Sequence, residues 1–221
     1  DVKSVLREFT KEIEACPCDE WLKKVQAAKK EAPLRGEPRT DFVEPRAFMR
    51  DLSAMMEDDA ILTADVGQNQ IWAANNFNTK EGRFLTSGGM GTMGYALPAA
   101  IGAKLAKPKR QVVAVCGDGS FQMSMCELAT ANQNQVPLKL VVMRNKFLGM
   151  VKELQDNLYQ GRHVATPLNG DPDIVKLVQA YGIKAVFAQN NEDAKKLAKE
   201  MLESKEAYVL VCDVDPNTPS I

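Results

Sequence analysis

The sequence predicts an α/β fold: a doubly wound, mostly parallel sheet with helices on both faces, preceded by an N-terminal helical arm. Three observations carry this. Strand-like and helix-like segments alternate from about residue 44 to residue 211. The strand-like segments, such as QVVAVC at Gln111–Cys116, are continuous apolar runs, which suits strands buried on both faces. Alternating β and α units of this kind build a parallel sheet covered by helices. The chain of 221 residues, 45% hydrophobic and 26% charged, has room for one large domain, or for one domain plus an arm.

The elements follow in order. Val2, Val5, Leu6, Phe9 and Ile13 recur at helical spacing, and Trp21, Leu22 and Val25 open a second short helix. Lys29 to Pro45 is polar and carries Pro33, Pro38 and Pro45, which reads as a linker or extended strap. Residues 1–40 are therefore taken as an arm from a preceding domain, and 41–221 as the body. Glu44–Met56 reads as a helix with Pro45 in its first turn, where a missing N–H costs nothing. Ala60–Val66 reads as a strand, and Gln68–Asn75 and Ala96–Ala106 as helices. Gln111–Cys116 and Leu138–Met143 are strands flanking a helix at Met123–Asn134. Asp171–Tyr181 is a helix closed by Gly182. Ile183–Phe187 is a strand, Asn191–Glu203 a helix and Ala207–Val211 the last strand.

Composition excludes several classes. With 28 basic and 29 acidic residues, the net charge of -1 leaves no electrostatic footprint for nucleic acid or an anionic membrane. No apolar run approaches the ~20 residues of a membrane span, and the charged, amphipathic N-terminus is not a signal peptide. Cys116, Cys126 and Cys212 sit in or beside apolar segments and read as buried thiols. Cys16 and Cys18 form a C-P-C turn with no second ligand pair for zinc. Five cysteines without a secretion signal suit a reducing, cytoplasmic setting. His163, the single histidine, lies in a polar stretch and reads as a surface residue.

In a parallel sheet, ligands sit outside the carboxyl ends of the strands, so the residues that follow each strand matter most. After the first strand comes Asp65-Val66-Gly67-Gln68-Asn69, and after QVVAVC comes Gly117-Asp118-Gly119-Ser120. After LKLVVM comes Arg144-Asn145-Lys146-Phe147-Leu148-Gly149-Met150-Val151. Glycines on both sides of Asp118 let the backbone bend sharply and approach a ligand. Asn145 lies 27 residues on, at the end of what should be the adjacent strand. A carboxylate, an amide oxygen and a backbone carbonyl are hard ligands suited to Mg²⁺, which completes its octahedron with phosphates and water. Helix N-termini after these turns add N–H donors for the same phosphates. The pattern predicts a Mg²⁺-diphosphate site. A competing motif, Gly89-Met90-Gly91-Thr92-Met93-Gly94, has the form G-x-G-x-x-G, but the strand that a nicotinamide site needs directly before it is short and offset by Ser87-Gly88.

A GDG followed after ~25–30 residues by Asn resembles the thiamine diphosphate motif. The longer stretches TADVGQNQIWAANNF, RFLTSGGMGTMGYALPAAIGAKLA, GDGSFQMSMCELATANQNQVPLKLVVMRN and LGMV resemble the C-terminal domain of acetolactate (acetohydroxyacid) synthase large subunits, from about Asp41 to Val214. The resemblance implies the thiamine diphosphate-binding fold and assigns roles residue by residue. Asp118 and Asn145 would ligate Mg²⁺, with the Phe147 carbonyl as third protein ligand. Gly117, Gly119 and Ser120 would approach the diphosphate, together with Val66, Gly67, Gln68 and Asn69. Gly91 and Met93 would contact the pyrimidine and thiazolium, with Met93 propping the bent cofactor. Leu148, Gly149, Met150 and Val151 would close over it.

The implied activity is decarboxylation of pyruvate and transfer of the hydroxyethyl unit to a second 2-oxo acid. The product would be 2-acetolactate, for branched-chain amino-acid synthesis. Another thiamine diphosphate carboligase or 2-oxo acid decarboxylase, or a non-catalytic cofactor-binding or assembly module, are the alternatives. Three positions depart from the family: Arg144 where an Asn is usual, Asn69 where a His is usual, and Leu154 where biosynthetic members carry a Trp that shapes the acceptor pocket. Family enzymes are longer. A separate domain supplies the glutamate that activates the cofactor, so no catalytic residue is expected in this chain, which reads as a fragment inactive by itself. FAD is possible in the parent enzyme but not on these residues. A homo-oligomer, a dimer or tetramer, and a regulatory subunit are the implied partners.

Overall fold

In the computed structural model, β-branched and apolar runs become six parallel strands. The structure describes residues 1–15, 17–31 and 41–221. Two compact units are present, Asp1–Arg35 and Gly36–Ile221. The first holds α1 (Val2–Glu12) and α2 (Asp19–Glu31). The Asp1 carboxylate caps α1 by accepting from the Lys3 N–H at 2.9 Å, and Asp19 and Glu20 favour the positive end of α2. Helix α2 runs further than its three apolar positions suggest, to Glu31. Cys16 and most of the expected proline strap lie outside the described residues.

The second unit runs α3 (Pro45–Met55), β1 (Ile61–Ala64), α4 (Gln68–Asn76), β2 (Arg83–Thr86), α5 (Ala96–Ala106), β3 (Val112–Gly117), α6 (Asp118–Ser124), α7 (Glu127–Gln133), β4 (Lys139–Arg144), α8 (Gly149–Tyr159), α9 (Ile174–Ala180), β5 (Lys184–Ala188), α10 (Asn191–Glu203) and β6 (Tyr208–Asp213). The strand order is β2-β1-β3-β4-β6-β5, all parallel. The chain moves outward from β1 to β2, then crosses back to place β3 on the other side of β1. The crevice between the ends of β1 and β3 is therefore the topological switch point, where such sheets bind ligands.

Period-two alternation splits the core between the two faces. Val113 and Val115 of β3 pack with Phe48, Met49, Leu52, Trp72 and Met201 from α3, α4 and α10. Val112, Ala114 and Cys116 pack with Leu97, Ile101, Phe121, Leu128 and Val178 from α5, α6, α7 and α9. No helix among the described residues is long and apolar enough to cross a membrane.

The structure corrects several sequence expectations. The helix expected at Met123–Asn134 is two helices. The first starts earlier, at Asp118, because the Gly-Asp-Gly turn is itself helical. The break at Met125–Cys126 is a tightened turn, with Leu128 N–H donating to the Met125 carbonyl and Ala129 N–H to the Cys126 carbonyl. That turn points Cys126 outward, so it is exposed, whereas Cys116 and Cys212 are buried as expected. Helix α9 starts at Ile174 rather than Asp171. Pro172 disfavours helix at the residue before it, and the Asp173 carboxylate caps the helix by accepting from the Lys176 N–H at 3.1 Å. The short run before Ser87-Gly88 is the edge strand β2, whereas helix α8 was not expected.

Candidate functional site

Strand β1 delivers Asp65, a fully buried carboxylate, to the switch point. It accepts from the Val66 N–H at 2.9 Å, the Gly94 N–H at 2.9 Å and the Ala96 N–H at 2.8 Å. Tyr95, at the N-cap of α5, makes no side-chain cap, so Asp65 caps that helix from another strand. It thereby ties the turn after β1 to the glycine loop that carries Met93. The chain then enters Gly67, whose φ of +144° an L side chain rarely adopts. A Cβ there would also lie 2.6 Å from Asn69 Oδ1. Helix α4 starts directly after it with no side-chain cap; the Gln70 N–H turns back to the Gly67 carbonyl at 3.0 Å, and the N–H groups of Gln68 and Asn69 open the helix toward an anion.

Strand β3 ends in Gly117 and passes into α6 at Asp118. The Asp118 carboxylate is 1% exposed and accepts only backbone N–H groups, from Gly119 at 3.0 Å and Lys146 at 2.7 Å. Among the described residues no basic side chain pairs with it within ion-pair distance. Burial pushes its pKa from 3.8 up to about 6, against the pull of those N–H groups and of the Arg144 charge. Arg144 is itself held between Asp171 and Asp213, at 3.1 Å from each. A buried carboxylate with no counter-charge in contact is the environment that a bound cation would stabilise.

Strand β4 ends beside it and delivers Asn145. Its amide nitrogen donates to Gln68 Oε1 at 3.0 Å, and its Oδ1 accepts from the Phe147 N–H at 3.0 Å. Lys146 takes the left-handed conformation, with φ of +61°. Leu148 N–H donates to the Thr166 carbonyl, and Leu168 N–H to the Lys146 carbonyl, which braces this turn against residues 166–168. Close packing accounts for the glycines. A Cβ on Gly119 would lie 2.7 Å from Leu148, and one on Gly149 would lie 2.0 Å from Gln68 Oε1.

These turns enclose a cavity of about 110 Å³. Of the expected site residues, Val66, Gly67, Gln68, Asn69, Met93, Gly117, Asp118, Gly119, Ser120, Asn145, Phe147, Leu148, Gly149, Met150 and Val151 all line it. Gly91 does not: it sits on exposed backbone of the same glycine loop, at φ of +65°. Leu154 is outside the lining and 53% exposed. His163 is on the surface, with its ring against Asp156 and edge-on to Phe147. Trp72 and Met143 line the cavity and were missed. Trp72 follows Gln68 by four residues, the spacing of one helix face, and that signal was readable. Asp65 was also legible, as an acid at the end of an apolar strand.

The donor set fits a hard cation and a diphosphate: a buried carboxylate, an amide oxygen and glycine-walled turns at a helix N-terminus. Comparison with known proteins identifies a thiamine pyrophosphate-binding domain. The family model described as thiamine pyrophosphate enzyme, C-terminal TPP binding domain, matches residues 65–212. The chain is 38% identical, over 98% of its length, to a probable acetolactate synthase large subunit of Methanocaldococcus jannaschii, and covers 38% of that protein. It is 38% identical over 87% of its length to the acetolactate synthase large subunit of Lactococcus lactis, covering 35% of it. To the isozyme 3 large subunit of Escherichia coli it is 36% identical over 91% of its length, covering 36% of it. The chain thus spans well under half the length of these relatives. The buried Asp118, the glycine-walled turns and the match over residues 65–212 lead to one conclusion: the chain belongs to the thiamine pyrophosphate enzymes, through their C-terminal TPP-binding domain.

Proposed function

We propose that residues 41–221 form the Mg²⁺-dependent diphosphate-binding half of an acetolactate synthase-type carboligase, with residues 1–40 as an arm. The observation that carries this is Asp118, buried without a cationic partner among the described residues and sharing a glycine-walled cavity with Asn145. Asp118, Asn145 and the Phe147 carbonyl would hold Mg²⁺. Gly67, Gln68, Asn69, Gly117, Gly119 and Ser120 would approach the diphosphate, with backbone N–H groups at the start of α4 donating to it. Met93 would support the thiazolium side, and Gly149, Met150 and Val151 would shield it from water. The bound cofactor supplies the electron sink for decarboxylating a 2-oxo acid, while the protein orients it.

A cavity of about 110 Å³ is smaller than the ~300–1,000 Å³ of pockets that enclose a whole small-molecule ligand. It suits the metal and diphosphate, with the aminopyrimidine end and the activating glutamate coming from a second domain or subunit. Pyruvate as donor, a second 2-oxo acid as acceptor, a homo-oligomer and a small regulatory subunit follow from the same reading. The relatives that carry it are named large subunits. Leu154 favours one variation, a sister carboligase with a different acceptor, because a bulky aromatic is missing at that position. The test is calorimetric titration of thiamine diphosphate into the chain with Mg²⁺ or with EDTA, and into Asp118→Ala. Saturable binding that needs both Mg²⁺ and Asp118 is expected. Binding that is indifferent to both would overturn the reading.

A further inference from the structure

We infer that Glu153 is a positioning residue: together with the Thr218 carbonyl, and acting through Gln68, it sets which atom of the Asn145 amide faces the cation. The inference rests on the Mg²⁺ reading above. An Asn or Gln amide has an accepting end and a donating end of nearly the same shape, so its orientation is set by its neighbours. An ionised carboxylate can only accept. The Glu153 carboxylate accepts from Gln68 Nε2 at 3.2 Å, and the Thr218 carbonyl accepts from the same nitrogen at 3.1 Å. Gln68 must therefore turn Oε1 the other way, where it accepts from Asn145 Nδ2 at 3.0 Å. That occupies the nitrogen of Asn145, the Phe147 N–H donates to its Oδ1 at 3.0 Å in the same sense, and the second lone pair of Oδ1 is left as the only part of the amide that can ligate a metal.

Two further features hold the relay in place. Glu153 is anchored from behind by Ser220, a buried residue whose N–H donates to it at 3.2 Å and whose hydroxyl also donates to it. Gly149 lies one helical turn before Glu153 on α8, on the same face. Its missing side chain makes the room that the Gln68 amide fills, since a Cβ there would be 2.0 Å from Oε1 and 2.7 Å from Asn145 Nδ2. One turn of α8 thus supplies both the space and the polarity. The relay runs from Ser220 through Glu153 and Gln68 to Asn145, and only Asn145 would reach the metal.

The test compares two losses of the same carboxylate. Glu153→Ala removes the acceptor but leaves the Thr218 carbonyl to hold Gln68 as it is. Glu153→Lys sets a donor against Gln68 Nε2 and favours the reversed amide, which would aim Asn145 Nδ2 at the cation. Mn²⁺ affinity is read by electron paramagnetic resonance on the full chain with inorganic pyrophosphate present, and melting temperatures are taken alongside. The expected result is a 10–100-fold loss for Glu153→Lys, the usual range for outer-shell changes at a metal site, and a loss under about threefold for Glu153→Ala. Equal losses in the two variants, tracking their melting temperatures, would mean that Glu153 is only a staple and would overturn the inference. Hydrogen exchange of the Asn145 side-chain amide reads the same relay with no ligand. It should quicken in Glu153→Lys but not in Glu153→Ala, and unchanged exchange in both overturns the inference. If the unmodified chain binds no Mn²⁺ with pyrophosphate, the Mg²⁺ reading fails, and the exchange measurement still decides the relay.

Discussion

Replacing Gly149 with Ala should unseat the Gln68 amide and destabilise the body of the protein, while Gly89→Ala should do nothing. The added Cβ at 149 falls 2.0 Å from Gln68 Oε1, 2.7 Å from Gln68 Cδ and 2.7 Å from Asn145 Nδ2. Against a contact distance of roughly 3.5 Å, the amide must retreat by about 1.5 Å. That breaks its bonds to Glu153, Thr218 and Asn145. Net values of about 1 kcal/mol for each neutral bond and about 2 kcal/mol for the charged one give roughly 4 kcal/mol. Part is regained as the amide finds new partners, and Ala returns up to ~1 kcal/mol as a better helix residue. A net loss of about 2–3 kcal/mol remains, which for a body of this size lowers the melting temperature by roughly 4–12 °C. At Gly89 nothing lies within 4 Å of an added Cβ, so its change should stay within about 0.5 kcal/mol. Urea unfolding of the two variants side by side measures the difference. Equal midpoints would refute the reasoning, because they would show that Gln68 is not held where the hydrogen bonds place it.

Asp65→Asn must turn an NH₂ toward at least one of the backbone N–H groups now accepted by the carboxylate. It should cost about 1–3 kcal/mol and speed hydrogen exchange at Gly94 and Ala96; unaltered exchange there would show that Asp65 does not cap α5. Trp72→Phe removes the indole donor to the Pro219 carbonyl at 2.9 Å, and should cost about 1 kcal/mol and raise proteolytic release of the C-terminal residues. Burial, helped by the nearby Lys104 charge, lowers the Lys139 pKa from 10.5 to about 8. Between those values the unfolded chain binds more protons than the folded one, so this residue's contribution to stability rises with pH. The stability of the protein relative to Lys139→Met should therefore climb from pH 8 to pH 10, and a flat difference would contradict the burial. Under native conditions a maleimide should modify Cys126 well before Cys116 and Cys212, whose thiols are buried and pushed up in pKa; mass mapping of the labelled chain checks this.

Much of the fold was legible because its signals are local. The runs at 111–116 and 138–143 are β-branched and unbroken, and strands β3 and β4 form there within a residue of the expected ends. Helices α5 and α10 match their expected bounds at both ends. The glycines around Asp118, and Asn145 after the next strand, mark the turns that wall the cavity. Helix α8 was missed although Met150, Val151, Leu154 and Leu158 recur at helical spacing; its apolar residues 151, 154 and 158 are exposed and Lys152 is buried, which no stripe along the sequence announces. Cys126 read as buried from its neighbours, but the tightened turn between α6 and α7 faces it outward.

The sequence by itself determined the parallel α/β sheet, the switch-point turns and the oxygen-bearing side chains, Asp118 and Asn145, that stand at them. Those depend on residue type and on spacings of a few residues to a few tens, which the chain order carries. Only the tertiary structure decided the second layer: Asp65 capping a helix that begins 31 residues away, and Glu153 meeting Gln68 across 85 residues. Hydrogen-bond polarity has no periodicity along a chain. A buried amide takes its orientation from whichever donors and acceptors the fold sets against it, so that orientation exists only once the strands and helices are in place.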